Sequence, residues 1–342
     1  MAVLLVVVNG LFLAGACRGR SYRHHTRVFV GVCGKWKEVY DIRTYRSCSG
    51  MVGVDLRYHA GMHIPYESYA IISRQTTPEA SAWQRRLEEH LHRRHAELRA
   101  VPPHEAHLLL VCGGDGTLLE VMRSEHATRA HVLGFNTGHA GFLSTVRDAA
   151  QFTDMLDAAL AGQLIPMEVP VMQIVHRSTT GETTGRAIND VLVERTMTWI
   201  TMRVEAVRGE TRTLLREIRG SGVLVCSPIG STTPMAAHFL APRIDPTMHA
   251  WYVKGVNDAR TSLTGMLIAA SDQQLRITIT DIETNLGIPE HLRHPPSLFA
   301  DGVHHATVAI GDTITIAYAL EPAILLRVSG DTHWDRVRSL PA

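Results

Sequence analysis

Apolar and polar positions follow two different rhythms along this chain, and the change falls near residue 163. In the first rhythm, short apolar runs alternate with helical spacings. Residues 69–73 read as a buried strand. Thr77-Pro78 then sets a capping hydroxyl before a proline at the first helical position. Ala80, Trp83, Leu87, Leu91 and Leu98 follow at helical spacing, with Arg and Glu between them. Residues 107–112 form a continuous apolar run closed by two glycines, as expected of a parallel strand covered on both faces. Residues 117–125 read as a helix, 132–135 as a strand and 148–160 as an amphipathic helix. This alternation predicts an α/β domain over residues 68–163, a Rossmann-like parallel sheet.

Beyond Gln163 the segments become short and β-branched, at 169–175, 187–194, 202–207, 222–226, 274–279, 307–310 and 313–318. Turn residues separate them at the intervals of an all-β layer, and one helix over 233–240 interrupts. A β-rich, sandwich-like domain over 164–330 is predicted, followed by a tail at 331–342. No internal repeat or low-complexity tract is present.

Residues 1–67 read as an accessory extension. The apolar run of residues 1–16 is shorter than the ~20 residues of a membrane span. Its first positive charge, Arg18, comes after the run, whereas a signal peptide begins with Lys or Arg. Ala14-Gly15-Ala16-Cys17 only outlines a lipoprotein cleavage site, so neither export nor a membrane partner is expected. Residues 20–61, rich in His, Arg and Tyr, show no clean periodicity. Two explanations stay open for them: a poorly ordered extension, or a start placed ahead of a true one at Met62.

A length of 342 residues accommodates about two domains. With 45% apolar and 20% charged residues, intrinsic disorder and a disulfide-framed miniprotein are excluded. The 5 cysteines contain no C-x-x-C pair, which argues against a thiolate zinc site and for a reduced, cytoplasmic setting. Residues 1–61 hold 9 of the 34 Lys+Arg but 3 of the 33 Asp+Glu, so the main body is slightly acidic and unsuited to nucleic acid. His90, His92 and His95 lie on a polar helix face and read as solvated side chains.

Chemistry concentrates at Gly113-Gly114-Asp115-Gly116-Thr117, where the apolar strand gives way to a helix. Glycines without a Cβ let the backbone turn sharply and approach a ligand. The unpaired N–H groups of the helix start suit phosphate, for which Gly113, Gly114 and Thr117 are the candidates. An aspartate in that nest repels phosphate unless it holds Mg²⁺ or takes a proton from an attacking hydroxyl. Its bland alternative is a helix cap. The Gly-Lys-Ser/Thr of a P-loop is absent, and Leu119 stands where a dinucleotide fingerprint needs its third glycine.

This pentapeptide resembles the signature shared by NAD kinases, diacylglycerol-type lipid kinases and 6-phosphofructokinases. Three later blocks select the first of these. Leu133-Gly134-Phe135-Asn136-Thr137-Gly138-His139-Ala140-Gly141-Phe142-Leu143 resembles the second glycine-rich block of NAD kinases. Ala187-Ile188-Asn189-Asp190 resembles their Asn-Glu or Asn-Asp motif. The run from Ile218 to Thr232, through Gly220-Ser221-Gly222 and Ser227-Pro228-Ile229-Gly230-Ser231-Thr232, resembles their Gly-Asp-Gly…Ser-Thr-Pro-x-Gly-Ser-Thr block. The chain is thus similar to the NAD kinase family, in its compact bacterial form, over residues 68–330.

The resemblance implies transfer of the γ-phosphate of ATP, or of polyphosphate, to the 2′-hydroxyl of the adenosine ribose of NAD, making NADP with Mg²⁺. It casts Asp115 as proton acceptor and Gly116 as its backbone neighbour. Asn189 and Asp190 hold the nucleoside, Arg219 a polar or charged partner. Ser221, Thr232, Thr233, Pro234, Met235, Ala236 and Ala237 complete the NAD site, and a homodimer or homotetramer is implied. Each has a bland alternative: Asn189 as a turn residue, Arg219 as a solvated charge. Ala300-Asp301-Gly302 matches a late family position but reads rather as an ordinary hairpin turn.

Two departures stand out. Ser221 replaces the family's Asp, and a neutral hydrogen bond is worth about 0.5–1.5 kcal/mol against ~1.5–3 for a charged one. Pro234 replaces a Tyr and removes a stacking face. Both imply weaker or altered NAD binding. A kinase for a lipid or sugar hydroxyl, or a silent NAD(P)-binding protein, remains the alternative.

Overall fold

Leu108 through Cys112 are wholly buried and carry no polar side chain, so their backbone groups must pair on both sides, as a central parallel strand does. In the computed structural model they do. It describes residues 5–11, 23–32, 35–46, 52–58, 66–73, 78–137, 141, 143–195, 199–233, 250–257, 265–269, 273–283 and 294–330. The chain clusters into two units, Met1–Pro65 with Leu156–Ile165, and Tyr66–Met155 with Pro166–Ala342.

Residues before Tyr66 carry β1 (Leu5–Leu11), β2 (Arg23–Val32), β3 (Lys35–Arg46) and β4 (Val52–Tyr58), an antiparallel sheet in chain order. No periodicity in the sequence announces these strands.

From Ser68 the chain forms β5 (Ser68–Ser73), α1 (Pro78–Arg94), β6 (Arg99–Ala100), β7 (Leu108–Gly113), α2 (Asp115–Arg123), β8 (His131–Asn136), α3 (Phe152–Leu160) and β9 (Ile165–Val169). There follow β10 (Met172–Ser178), β11 (Gly181–Ala187), β12 (Asp190–Glu194), β13 (Ile200–Arg208), β14 (Thr211–Gly220), β15 (Gly222–Cys226) and β16 (Ala250–Val256). The series ends with β17 (Met266–Ala269), β18 (Gln274–Ile282), β19 (Ser297–Ala300), β20 (Val303–Thr307), β21 (Thr313–Tyr318) and β22 (Ala323–Arg327). One sheet runs β6-β5-β7-β8-β22-β9, with β6, β5, β7, β8 and β22 parallel. Its strand β22 returns from the far end of the chain. Two further sheets run β11-β10-β21-β18-β13-β14 and β17-β16-β15-β12-β19-β20, antiparallel at every pairing among the described residues. Their inward side chains, among them Ile174, Val193, Met202, Val225, Trp251 and Ile277, form one buried core between the two sheets.

An α/β sheet with parallel strands followed by a β-rich region is therefore the architecture. Several boundaries differ from the sequence expectation for local reasons. The α1 helix ends at Arg94, closed by His95 N–H on Leu91 O, so Leu98 lies beyond it. The expected strand at 169–175 splits at Pro170, which has no N–H to give a ladder. The segment 307–310 turns after β20, where Asp312 accepts the Ala309 N–H and Gly311 has φ +92°. The expected helix at 233–240 lies outside the described residues beyond Thr233. No helix among the described residues is long and apolar enough to cross a membrane.

Candidate active site

Strand β7 ends on Gly113, and α2 starts at Asp115, two residues earlier than the periodicity suggested. Gly114 is the N-cap, its carbonyl accepting the N–H groups of Thr117 and Leu118. Asp115 therefore stands in the first helical turn rather than at the cap. A Cβ on Gly113 would run into the Thr117 side chain, so that glycine answers to the fold. A Cβ on Gly114 or Gly116 would meet nothing within 4 Å. These two glycines answer to no packing need among the described residues.

The second glycine-rich block reaches back to this turn. Gly134 on β8 lies against Leu118, and Gly141, at φ +56°, leaves no room for a Cβ beside the Asn136 side chain. Past it, Leu143 donates its backbone N–H to Asp115 Oδ1 at 3.0 Å. Residues 138–140 and 142 lie outside the described residues.

The Asn-Asp pair sits where β11 gives way to β12, with Ile188-Asn189 as the break and Asp190 as the first residue of β12, although the sequence suggested one continuous strand over 187–194. The break has a cause. Asp301, in the β19–β20 turn, accepts the N–H groups of Ile188 at 2.9 Å, Asn189 at 2.7 Å and Asp190 at 3.1 Å. A carboxylate thus replaces the ladder partners of three successive residues. Asp301 (φ +49°) and Gly302 (φ +74°) do form a hairpin turn, yet the Asp301 side chain is only 2% exposed.

On the other flank, Asn189 O accepts the Ser227 N–H at 2.9 Å. The turn that follows binds itself. Ser227 Oγ accepts from Gly230 N–H, Ser231 Oγ donates to Pro228 O, and Thr233 Oγ1 donates to Gly230 O. Thr232 closes this short helical turn. Pro234, Met235, Ala236 and Ala237 lie outside the described residues. The Asn189 side-chain Oδ1 is buried with no hydrogen-bond partner among the described residues.

Ile188 and Ile229 share one buried cluster with Leu118, Val121 and Leu143. The Gly-rich turn and the Asn-Asp loop thus stand on a common core. Burial pushes the Asp190 carboxyl up to about 7, and the Asp301 charge adds to it. Burial also raises Asp301, but its three backbone donors and Arg123 pull it back.

Arg219 and Ser221 stand elsewhere. Asp190 pairs with Cys226 and Glu194 with Gly222, so Ser221 lies just past the opposite end of the β12–β15 pair, roughly 16 Å away at ~3.3 Å per residue. Its hydroxyl accepts from the Asn257 side-chain amide at 3.1 Å. The glycines around it serve packing: a Cβ on Gly220 or Gly222 would strike the backbone carbonyls of Val256 or Val193. Arg219 is partly exposed, 3.7 Å from Glu283 and stacked 5.1 Å over Trp199. The sequence alone reads Asp301, which holds the Asn-Asp loop, as a hairpin turn, and it gives no sign of Arg123, whose guanidinium lies 3.7 Å from that carboxylate.

Residues 53–164 match the family model for the ATP-NAD kinase N-terminal domain. The chain is 29% identical over 238 residues to the NAD kinase of Symbiobacterium thermophilum, covering 68% of this chain and 78% of that protein. It is 27% identical over 262 residues to the NAD kinase of Nitratidesulfovibrio vulgaris, covering 73% and 91%. In fold it is similar to yeast NADH kinase complexed with NADH, with TM-score 0.68, 16% identity and coverage of 83% and 88%. The same holds for an NAD kinase from Archaeoglobus fulgidus in complex with ATP, with TM-score 0.58, 19% identity and coverage of 80% and 100%. Bearing the four sequence blocks in order, the chain is similar to these NAD kinases in sequence and fold, and its residues 53–164 match the N-terminal domain of the ATP-NAD kinase family.

Proposed function

We propose that this protein transfers the γ-phosphate of MgATP to the 2′-hydroxyl of the adenosine ribose of NAD, giving NADP and ADP. The observation that carries the reading is the buried Asn189 Oδ1, left without a donor among the described residues and standing on the core that also supports Asp115. A buried acceptor without a donor costs about 1–3 kcal/mol. A nucleoside that brings an N–H or O–H to it removes that cost, so the loop is built to be completed by a ligand.

Asp115 supplies the chemistry. A ribose hydroxyl is a poor nucleophile at neutral pH, and a carboxylate within hydrogen-bond reach helps by taking its proton as the new P–O bond forms. The bond from the γ-phosphorus to the bridging oxygen breaks, and ADP leaves with that electron pair. Mg²⁺ arrives with the triphosphate and offsets its charge. Leu143 orients the acid, while the N–H groups at the start of α2 face the phosphates. The open space over Gly114 and Gly116 suits close backbone approach to them. Asp190 and Thr233 are the further residues of this loop cluster that we assign to the nucleotide. A Rossmann-like first domain, a cytoplasmic setting and a homodimer or homotetramer complete the reading.

The test is direct: protein, NAD, ATP and Mg²⁺ are incubated and NADP is measured beside an Asp115→Asn control. NADP formation that the control lacks supports the proposal. Equal NADP from both, or none from either, rejects it.

A further inference from the structure

The α2 helix carries Asp115 in its first turn and Arg123 in its last, about 12 Å apart along the axis at ~1.5 Å per residue. The Arg123 Nη1 donates to Ala300 O at 3.3 Å and lies 3.7 Å from Asp301 Oδ2. Asp301 in turn holds the backbone of Ile188, Asn189 and Asp190. One chain of contacts therefore runs from the helix bearing the acid to the loop bearing the nucleoside contacts.

A hairpin turn needs no buried charge; Asn or Gly at position 301 would adopt its positive φ more readily. The Asp301 side chain is nevertheless 2% exposed, and its carboxylate is committed to residues more than a hundred positions earlier in sequence. A buried ion pair seldom adds stability over apolar packing but does fix one arrangement against others. The arrangement fixed here is the distance and angle between Asp115 and Asn189.

We propose that Asp301 and Arg123 are positioning residues for phosphoryl transfer: Asp301 sets the Asn189-Asp190 backbone to receive the nucleoside, and Arg123 locks that loop to the helix carrying Asp115. The inference rests on the kinase reading above. Asp301 acts on the loop itself, so its loss falls first on NAD binding. Arg123 acts only on the placement of the acid, so its loss falls on turnover.

The experiment compares wild type, Asp301→Asn, Arg123→Lys and the double variant in the full chain. It reads NAD affinity by calorimetry, kcat and KM by NADP formation, and Tm. In Asp301→Asn an amide NH₂ replaces an acceptor beside Ile188 N–H or Arg123, and NAD affinity falls roughly 10-fold or more. In Arg123→Lys, which keeps the charge but loses the fork, kcat falls roughly 10- to 100-fold, as expected when reacting groups shift by about 1 Å, with NAD KM within ~3-fold. The double variant loses less than the product of the singles, as residues in one network do. Variants that melt lower yet keep wild-type kcat, KM and NAD affinity would reduce the link to a structural one and overturn the inference. Should Asp301→Asn not fold, the kcat-only loss in Arg123→Lys still decides. Wild type that neither binds NAD nor makes NADP rejects the kinase reading and this inference with it, whereas NAD binding without turnover leaves the affinity arm to judge Asp301.

Discussion

Asp115 Oδ1 accepts the backbone N–H of Leu143 at 3.0 Å, so the first glycine-rich block holds the acid and the second one aims it. Asparagine at 115 keeps an oxygen for that N–H and loses only basicity. Asp115→Asn is therefore expected to melt within a few degrees of wild type while kcat for NADP formation drops about 10²–10⁴-fold. Calorimetric melting and steady-state kinetics on the same preparation check both halves. A drop of less than about tenfold would remove Asp115 from the role of base.

Gly230 tests the loop from its other flank. A Cβ there would strike the backbone carbonyl, carbonyl carbon and Cα of Asn189, and backbone atoms cannot swing aside as a flexible side chain can. Gly230→Ala is expected to cost about 1–3 kcal/mol in urea unfolding, the range of overpacking. It is also expected to raise KM for NAD, because the displaced atoms belong to Asn189, the residue proposed to receive the nucleoside. An unfolding midpoint equal to wild type would mean that the loop yields freely and is not held as described.

Gly116 makes the opposite case. It lies inside α2 with open space where a Cβ would stand, so alanine fits the fold and favours the helix by up to ~1 kcal/mol. Gly116→Ala is expected to be as stable as wild type or more so, yet to lose tenfold or more in kcat/KM for ATP, because the methyl occupies ground needed by phosphate. A stable and fully active variant would show that nothing approaches that backbone.

How much of the fold and site is legible in the sequence depends on the range of the interactions. The buried strand β7 is plain because its neighbours on both faces demand apolar side chains throughout, and Gly222–Cys226 is plain for the same reason. The Gly113–Thr117 turn is legible because a strand, a glycine pair and a helix start lie within ten residues. Asp301 is not, since Asp-Gly reads as a turn in any sequence and its three partners lie more than a hundred residues earlier. The break at Ile188-Asn189 is hidden likewise, for the force that opens it comes from that same distant carboxylate. Arg219 and Ser221 look like site residues because they share a block with Gly230, but one strand length separates the two ends of that block.

Asp190 gives the site a pH signature. Its carboxyl ordinarily titrates at 3.8, and burial, with Asp301 second, raises it to about 7 in the folded chain. Between those two values the folded state keeps a proton that the unfolded state has released. Folding therefore takes up a proton there, and stability falls as pH rises from about 4 to about 7, then levels. At pH 8 wild type carries a buried charge that the Asp190→Asn variant lacks. The effect on stability is on the order of a few kcal/mol, since each tenfold change in proton affinity is worth ~1.4 kcal/mol. Asp190→Asn is thus expected to gain Tm relative to wild type on going from pH 5 to pH 8, without ligand. The same difference in Tm at both pH values would mean that Asp190 stays ionised throughout, in contact with water or with a donor that offsets its burial.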